Sequence, residues 1–334
     1  MLDSTSRDQV LAVVRRRVVP SRQTEPRLPF DRRSATVADR WDGAGFLKIA
    51  LIERNDGRRA VAAVAGDHLL DLTDWVGPLG HCPLASFLGR AAEQAPSLSG
   101  ERMPFTDVTF LPPALGSAAP LCVGLNYSDH ARENQDHQKN SGRPALFTRY
   151  WSSLTGHDQP IVRPQVSQQL DYEGELVVVI GQHCRAVPRE RALEVVAGYT
   201  VGQEGSVRDW QRGVPTVTAG KNFWRSGAMG PWMVTADEIP DPSALRVTTT
   251  VNGRTRQESP TSHMVFDVPA LIAHITTFMP LEPGDTIFTG TPAGTCSDRG
   301  NTGWLAAGDT ITVNISGIGK LTNDIVDEVS AAHP

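Results

Sequence analysis

Two glutamates, Glu173 and Glu175, stand two residues apart in the segment LDYEGELVVVIG, residues 170–181. In a strand they would leave the same face, because side chains alternate along the pleat. Two carboxylates side by side repel each other. A divalent cation offsets that repulsion, and hard oxygen donors suit Mg²⁺, Mn²⁺ or Ca²⁺. A solvated acidic strand face is the plainer reading, but the apolar run LVVVI behind the pair speaks against it. A glycosidase pair fits poorly, since those carboxylates flank a sugar bond from opposite sides. A third carboxylate, Glu204, ends the short apolar run YTVGQ, where Gly205 breaks the strand. At a strand end it can complete a metal triad.

His130 and Glu133 lie three apart in SDHARE and share a face if that segment is helical. A carboxylate beside an imidazole raises its basicity, which suits activation of water. A surface ion pair is the competing reading. Lys221, in TAGKNFW, is a candidate oxyanion partner or a snorkelling surface lysine. FTGTPAGT, residues 288–295, is a glycine- and threonine-rich loop after a strand. It lacks the G-K-[ST] ending of a P-loop, which argues against nucleotide binding. Its hydroxyls and N–H groups can hold a carboxylate instead.

The elements that must position these groups read as follows. Residues 46–72 hold three apolar runs separated by NDG and GD turns, a three-stranded meander. A helix is expected over 84–94 and a proline-rich linker over 110–115. LCVGLNY reads as a buried strand entering a short helix, SDHAREN. Helices are expected over 188–199 and 265–278. Strands are expected at 231–235, 245–251, 254–258, 285–289, 309–315 and 320–327, with a hairpin turn at Asn252-Gly253. Hairpins with few helices indicate an α+β fold with a large sheet. The chain divides into residues 1–45, 46–115 and 116–330. The first segment carries nine arginines against six acidic residues and three prolines, and reads as a short helix over 7–18 followed by an extended arm.

The 334 residues carry a net charge of −5. That balance argues against a nucleic-acid partner, which needs a basic face. No run of 18 apolar residues suggests a membrane span, and the N-terminus lacks a secretory pattern. Four cysteines without a C-x-x-C pair suit a reducing, cytoplasmic setting.

The segments GLNYSDHARE, LDYEGELVVVIG, GYTVG..GSVRDWQ, GKNF, MGPWMVTADEI, VNG..RQ and TGTPAG follow one another over residues 118–328. In that order they resemble the fumarylacetoacetate hydrolase family, and the meander at 46–72 looks like that family's small N-terminal domain. The resemblance implies a mixed β-sandwich roll, a homodimer, and Mg²⁺ or Mn²⁺ at the mouth of the roll. It implies Glu173, Glu175 and Glu204 as metal ligands and His130, Glu133 and Lys221 as catalytic groups. Tyr127, Arg208, Gln211 and Thr291 are implied as substrate-contacting positions. Family members cleave or rearrange 1,3-dicarbonyl compounds and 2-oxo acids. The leading expectation is therefore a metal-dependent hydrolase of a C–C bond in an acylpyruvate or similar substrate. A 2-oxo or β-keto acid decarboxylase, a tautomerase or isomerase, and a non-catalytic binding relative are the alternatives. The sequence departs from the family at Gln203-Glu204, where Asn-Asp is usual, and at Trp224, His263 and Cys296. Each longer side chain at 203–204 reaches about 1.5 Å further, which points to an altered metal site, and the several changes together point to a different substrate or reaction, such as that of a specialised biosynthetic enzyme.

Overall fold

A computed structural model describes residues 48–128 and 142–329. The arginine-rich segment, its expected helix at 7–18, and most of the expected SDHAREN helix lie outside the described residues. The apolar runs and turn residues at the start of the described chain give the expected meander. Strands Lys48–Arg54, Arg59–Ala65 and His68–Asp71 pair antiparallel in order. The first of them also pairs with Gly227–Thr235, Lys48 opposite Val234, so the meander is continuous with the main sheet.

That sheet has twelve strands, and its centre is Gly174–Ile180 paired with Val196–Gln203. Both strands are buried along their whole length, which is why LVVVI is apolar on both faces. A second sheet of five strands carries Arg246–Val251, Arg254–Pro260, Thr310–Ile315 and Gly319–Asp327. Its Arg246–Val251 strand alternates buried and open positions, as one packed face requires. The two sheets meet at Gly174, where a methyl group would sit 2.1 Å from the Thr249 hydroxyl oxygen. Helices Pro83–Glu93 and Val268–Phe278 complete an α+β fold of mixed sheets with few helices. Among the described residues no helix is long and apolar enough to cross a membrane.

Two expectations need correction. The helix over 188–199 is a 3₁₀ segment, Arg189–Val195, followed at once by the strand Val196–Gln203. Helical spacing was present, but Gly198 lets the neighbouring strand approach so closely that a methyl group would sit 2.1 Å from the Val234 carbonyl oxygen. Strand pairing and burial override the local pattern there. The proline-rich linker begins inside a strand, Val108–Leu111, which pairs with Lys48–Arg54.

Between the sheets, His157 Nδ1 accepts the Thr322 backbone N–H at 3.1 Å, so the ring is bound in its neutral form. Burial holds its pKa below the usual histidine value, against the pull of Asp158. Below that usual value the unfolded chain takes up a proton that the folded ring refuses. Stability therefore falls as pH drops from about 6.5 toward the lower folded value. His157→Asn, which keeps an acceptor without the titration, should flatten the melting temperature between pH 7.5 and 5 relative to the wild type.

Candidate active site

The two central strands converge on the acidic residues. Glu175 lies opposite Gly202 and Gly174 opposite Gln203. Glycine is required at 202, because a methyl group there would lie 2.4 Å from the Phe288 ring. The spacing placed Glu173 and Glu175 in one strand, but the strand begins at Gly174 and leaves Glu173 outside it. The Glu173 N–H instead donates to the Gln203 side-chain carbonyl at 2.7 Å. Its carbonyl accepts the Glu204 N–H at 2.8 Å. Gly205 then turns the chain, with no room for a Cβ against the Ser226 carbonyl oxygen, 1.8 Å away.

The result is a cluster in which carboxylate oxygens of Glu173, Glu175 and Glu204 all lie within 4.8 Å of one another. All three residues are buried. Lys221, at the end of the short helix Thr218–Lys221, enters from one side. Its Nζ is 2.8 Å from Glu173 Oε2 and 2.8 Å from Glu204 Oε2, and 5.1 Å from the centre of the Phe147 ring. Arg208 enters from another side. It donates through Nε to Asp171 at 2.7 Å and through Nη1 to Gln211 at 2.9 Å, and its Nη2 is 2.5 Å from Glu173 Oε1. Ser206 donates to Glu173 Oε1 at 2.9 Å. Gly290 N–H donates to Glu175 Oε2 at 2.7 Å.

The electrostatics follow from this geometry. Burial pushes the Glu175 carboxyl well above its usual pKa, and Glu204 and Glu173 add to the shift. Burial would pull the Lys221 ammonium down, but Glu173 and Glu204 outweigh it and the net shift is upward. Arg208 is likewise raised, as Glu173 and Asp171 overcome its burial. The cluster thus keeps its cations charged while one carboxylate resists ionisation.

Glu175 Oε1 and Glu204 Oε1 are buried with no hydrogen-bond donor among the described residues. Unsatisfied buried acceptors are expensive. A divalent cation among the three carboxylates would satisfy both, and an all-oxygen set matches Mg²⁺, Mn²⁺ or Ca²⁺. The residues present fit such an ion.

Arg208 and Gln211 stand at the cluster, yet both are committed to protein partners. Thr291 donates to the Gly174 carbonyl at 3.0 Å and accepts from Gln257 at 2.8 Å. Tyr127 is buried and bridges to Met264, while its neighbour Asn126 holds the Thr289 carbonyl at 2.7 Å. His130 and Glu133 lie outside the described residues. The N–H groups of the loop at 288–295 do hold carboxylates, but these are the protein's own: Glu175 on Gly290, and Asp298 on Gly294 and Thr295. Of the departures from the family pattern, Trp224 is on the surface with the Arg225 guanidinium 5.2 Å over its ring. Cys296 is buried and donates its N–H to Asp171.

Asp171 was not singled out from the sequence, and Gln203 was noted only as a departure from the family pattern, without its hold on the Glu173 N–H. Asp171 is fully buried and accepts from Arg208 and from the backbone N–H groups of Tyr172, Cys296 and Ser297. The only sequence signal for it was its place in the LDYEGE motif.

A family model described as fumarylacetoacetate (FAA) hydrolase C-terminal matches residues 120–326. A mitochondrial oxaloacetate tautomerase of Bos taurus is 37% identical over 226 residues, 67% of this chain and 71% of its own length. A fumarylacetoacetate hydrolase from psychrophilic Exiguobacterium antarcticum has a similar structure, with a TM-score of 0.74 and 34% identity over 84% of this chain and 100% of its own. Maleylpyruvate hydrolase from Sphingobium sp. SYK-6, solved with manganese(II) and pyruvate, gives a TM-score of 0.68 and 28% identity, covering 84% of this chain and 100% of its own. With the match spanning most of the chain and falling on the strands that build the acidic cluster, the chain belongs to the fumarylacetoacetate hydrolase family.

Proposed function

We propose that the chain is a divalent-metal-dependent hydrolase that cleaves a C–C bond in an acylpyruvate or another 1,3-dicarbonyl or 2-oxo acid. The observation that carries this reading is the trio of buried glutamates with two orphaned oxygens beside a buried lysine. Mg²⁺ or Mn²⁺ held by Glu173, Glu175 and Glu204 would supply Lewis acidity toward two substrate oxygens. Lys221 adds a fixed positive charge where negative charge develops on an enolate, worth roughly 10²–10³ in rate for one such donor. Arg208, held by Asp171 and Gln211, keeps Glu173 in place. His130, oriented by Glu133, takes a proton from water as the water adds to the acyl carbonyl. The C–C bond then breaks, the acyl part leaves as a carboxylic acid, and the enolate takes up a proton to give the shorter 2-oxo compound. Tyr127 and Thr291 line the substrate side in this reading.

A second reading is a tautomerase or decarboxylase of a 2-oxo acid. The likeness to a relative named oxaloacetate tautomerase favours it, and Lys221 serves an enolate equally well without hydrolysis. Incubation of the metal-loaded protein with acylpyruvates and with oxaloacetate separates the readings. Expected is loss of enol absorbance, abolished by EDTA, with a carboxylic acid as product. Carbon dioxide would select decarboxylation, and an unchanged carbon skeleton would select tautomerisation. No turnover and no bound metal would contradict both and leave a binding protein. The same proposal takes the protein to be a homodimer and to work in the cytoplasm, the latter in keeping with its free cysteines.

A further inference from the structure

Arg149 is fully buried and heads the largest of the buried side chains. Its Nε donates to Ser153 Oγ at 3.1 Å and its Nη1 to the Gly205 carbonyl at 2.9 Å. Its Nη2 donates to the Ser153 carbonyl at 3.3 Å and to Ser226 Oγ at 2.9 Å. Every acceptor is neutral, and Arg149 pairs with no carboxylate among the described residues. A guanidinium buried without a carboxylate is a costly arrangement for packing alone. A methionine or leucine would fill the space at lower cost.

The geometry shows what the charge and its donors achieve. The peptide after Glu204 runs against the backbone of Ser226 so closely that a Cβ at Gly205 would lie 1.8 Å from the Ser226 carbonyl oxygen, and a Cβ at Gly227 would lie 2.6 Å from the Gln203 carbonyl oxygen. Arg149 spans both segments. On its other side, Glu204 is fixed by its own N–H on the Glu173 carbonyl. Glu204 is therefore clamped on both sides of its backbone, and its side chain is left with one oxygen on Lys221 and one without a donor.

We propose that Arg149 is a positioning residue: it anchors the Gly205 peptide and so sets where the Glu204 carboxylate meets the divalent cation. This rests on reading the acid cluster as a metal site. The guanidinium acts through the backbone and touches neither cation nor substrate.

The test is Mn²⁺ binding to metal-stripped protein, followed by electron paramagnetic resonance, in the wild type, R149M, R149K and S226A, with folding checked by circular dichroism. Loss of a partner that orients a ligand typically weakens metal binding ~10–100-fold. Expected is a loss of that size in R149M with a broadened bound-Mn²⁺ spectrum. R149K, which keeps the charge but not the planar fork, should fall between R149M and the wild type. S226A, which removes one bond, should lose less than R149K. A folded R149M that binds Mn²⁺ as tightly as the wild type, or more tightly, with an unchanged spectrum overturns the proposal. If R149M fails to fold, unchanged affinity and spectrum in both R149K and S226A overturn it. Wild-type protein that binds no Mn²⁺ overturns the metal reading and this inference together, whereas a binding wild type with unaltered variants overturns only the inference.

Discussion

Glu175→Gln should abolish turnover and weaken Mn²⁺ binding by at least ~100-fold, while making the metal-free protein more stable. The first effect follows from charge. Glutamine keeps the shape and an oxygen for the Gly290 N–H, now bonded to Glu175 Oε2 at 2.7 Å. It loses the anionic oxygen that has no donor and that a cation would use. Partners that only orient a ligand already account for ~10–100-fold in affinity, so a ligand itself accounts for at least the upper end.

The second effect follows from burial, to which repulsion adds. Burial, then Glu204, then Glu173 raise the Glu175 pKa. Between the ordinary glutamate value and that raised value, the folded state holds a proton that the unfolded chain has released. Stability of the metal-free wild type must then fall as pH rises through this window. The amide removes the term, so the variant should melt higher than the wild type at neutral pH without metal, and its melting temperature should depend less on pH. Thermal melts of EDTA-treated proteins across pH 4.5–8, with Mn²⁺ titrations alongside, read both effects. Wild-type Mn²⁺ affinity in the variant would remove Glu175 from the metal site.

Lys221→Met should lower the turnover of Mn²⁺-saturated protein by ~10²–10³, yet tighten Mn²⁺ binding. Lys221 Nζ bridges Glu173 and Glu204 at 2.8 Å each and is almost wholly buried. Methionine fills similar space but leaves the carboxylates without that counter-charge. Removing one partner of a buried ion pair costs about 3–5 kcal/mol, so the metal-free variant should be markedly less stable than the wild type. A divalent cation restores positive charge to the same oxygens, and Mn²⁺ should therefore raise the melting temperature of this variant more than that of the wild type. Rates at saturating Mn²⁺ and melts with and without the ion check this. Full activity in the variant would show that Lys221 is only a counter-ion.

Much of this site was legible because it lies on strands whose patterns are strong. The apolar runs in residues 46–72, the turn residues between them and the doubly apolar LVVVI run mark elements that pair as strands. Glu204 was legible as a strand-end carboxylate because Gly205 follows it. Glu173 was misplaced because a two-residue spacing implies a continuous strand, whereas Gln203 takes its N–H and the ladder starts one residue later. The 188–199 segment carries helical spacing, but its second half is drawn into the central sheet.

The supporting residues were the least legible. Asp171, Gln203 and Arg149 act mainly through backbone groups tens of residues away. No spacing rule within a single sequence links a buried arginine to a carbonyl 56 positions later. The 288–295 loop showed its chemistry, an N–H group for a carboxylate, but not that the carboxylate belongs to the facing strand.

Anomalous diffraction from crystals grown with Mn²⁺ in excess is the most direct measurement. Expected is one manganese peak in contact with Glu173, Glu175 and Glu204, lost in Glu175→Gln crystals. Empty density at that point under saturating Mn²⁺, with Glu204 turned away from Glu173 and Glu175, would contradict the assignment of these carboxylates as a metal centre.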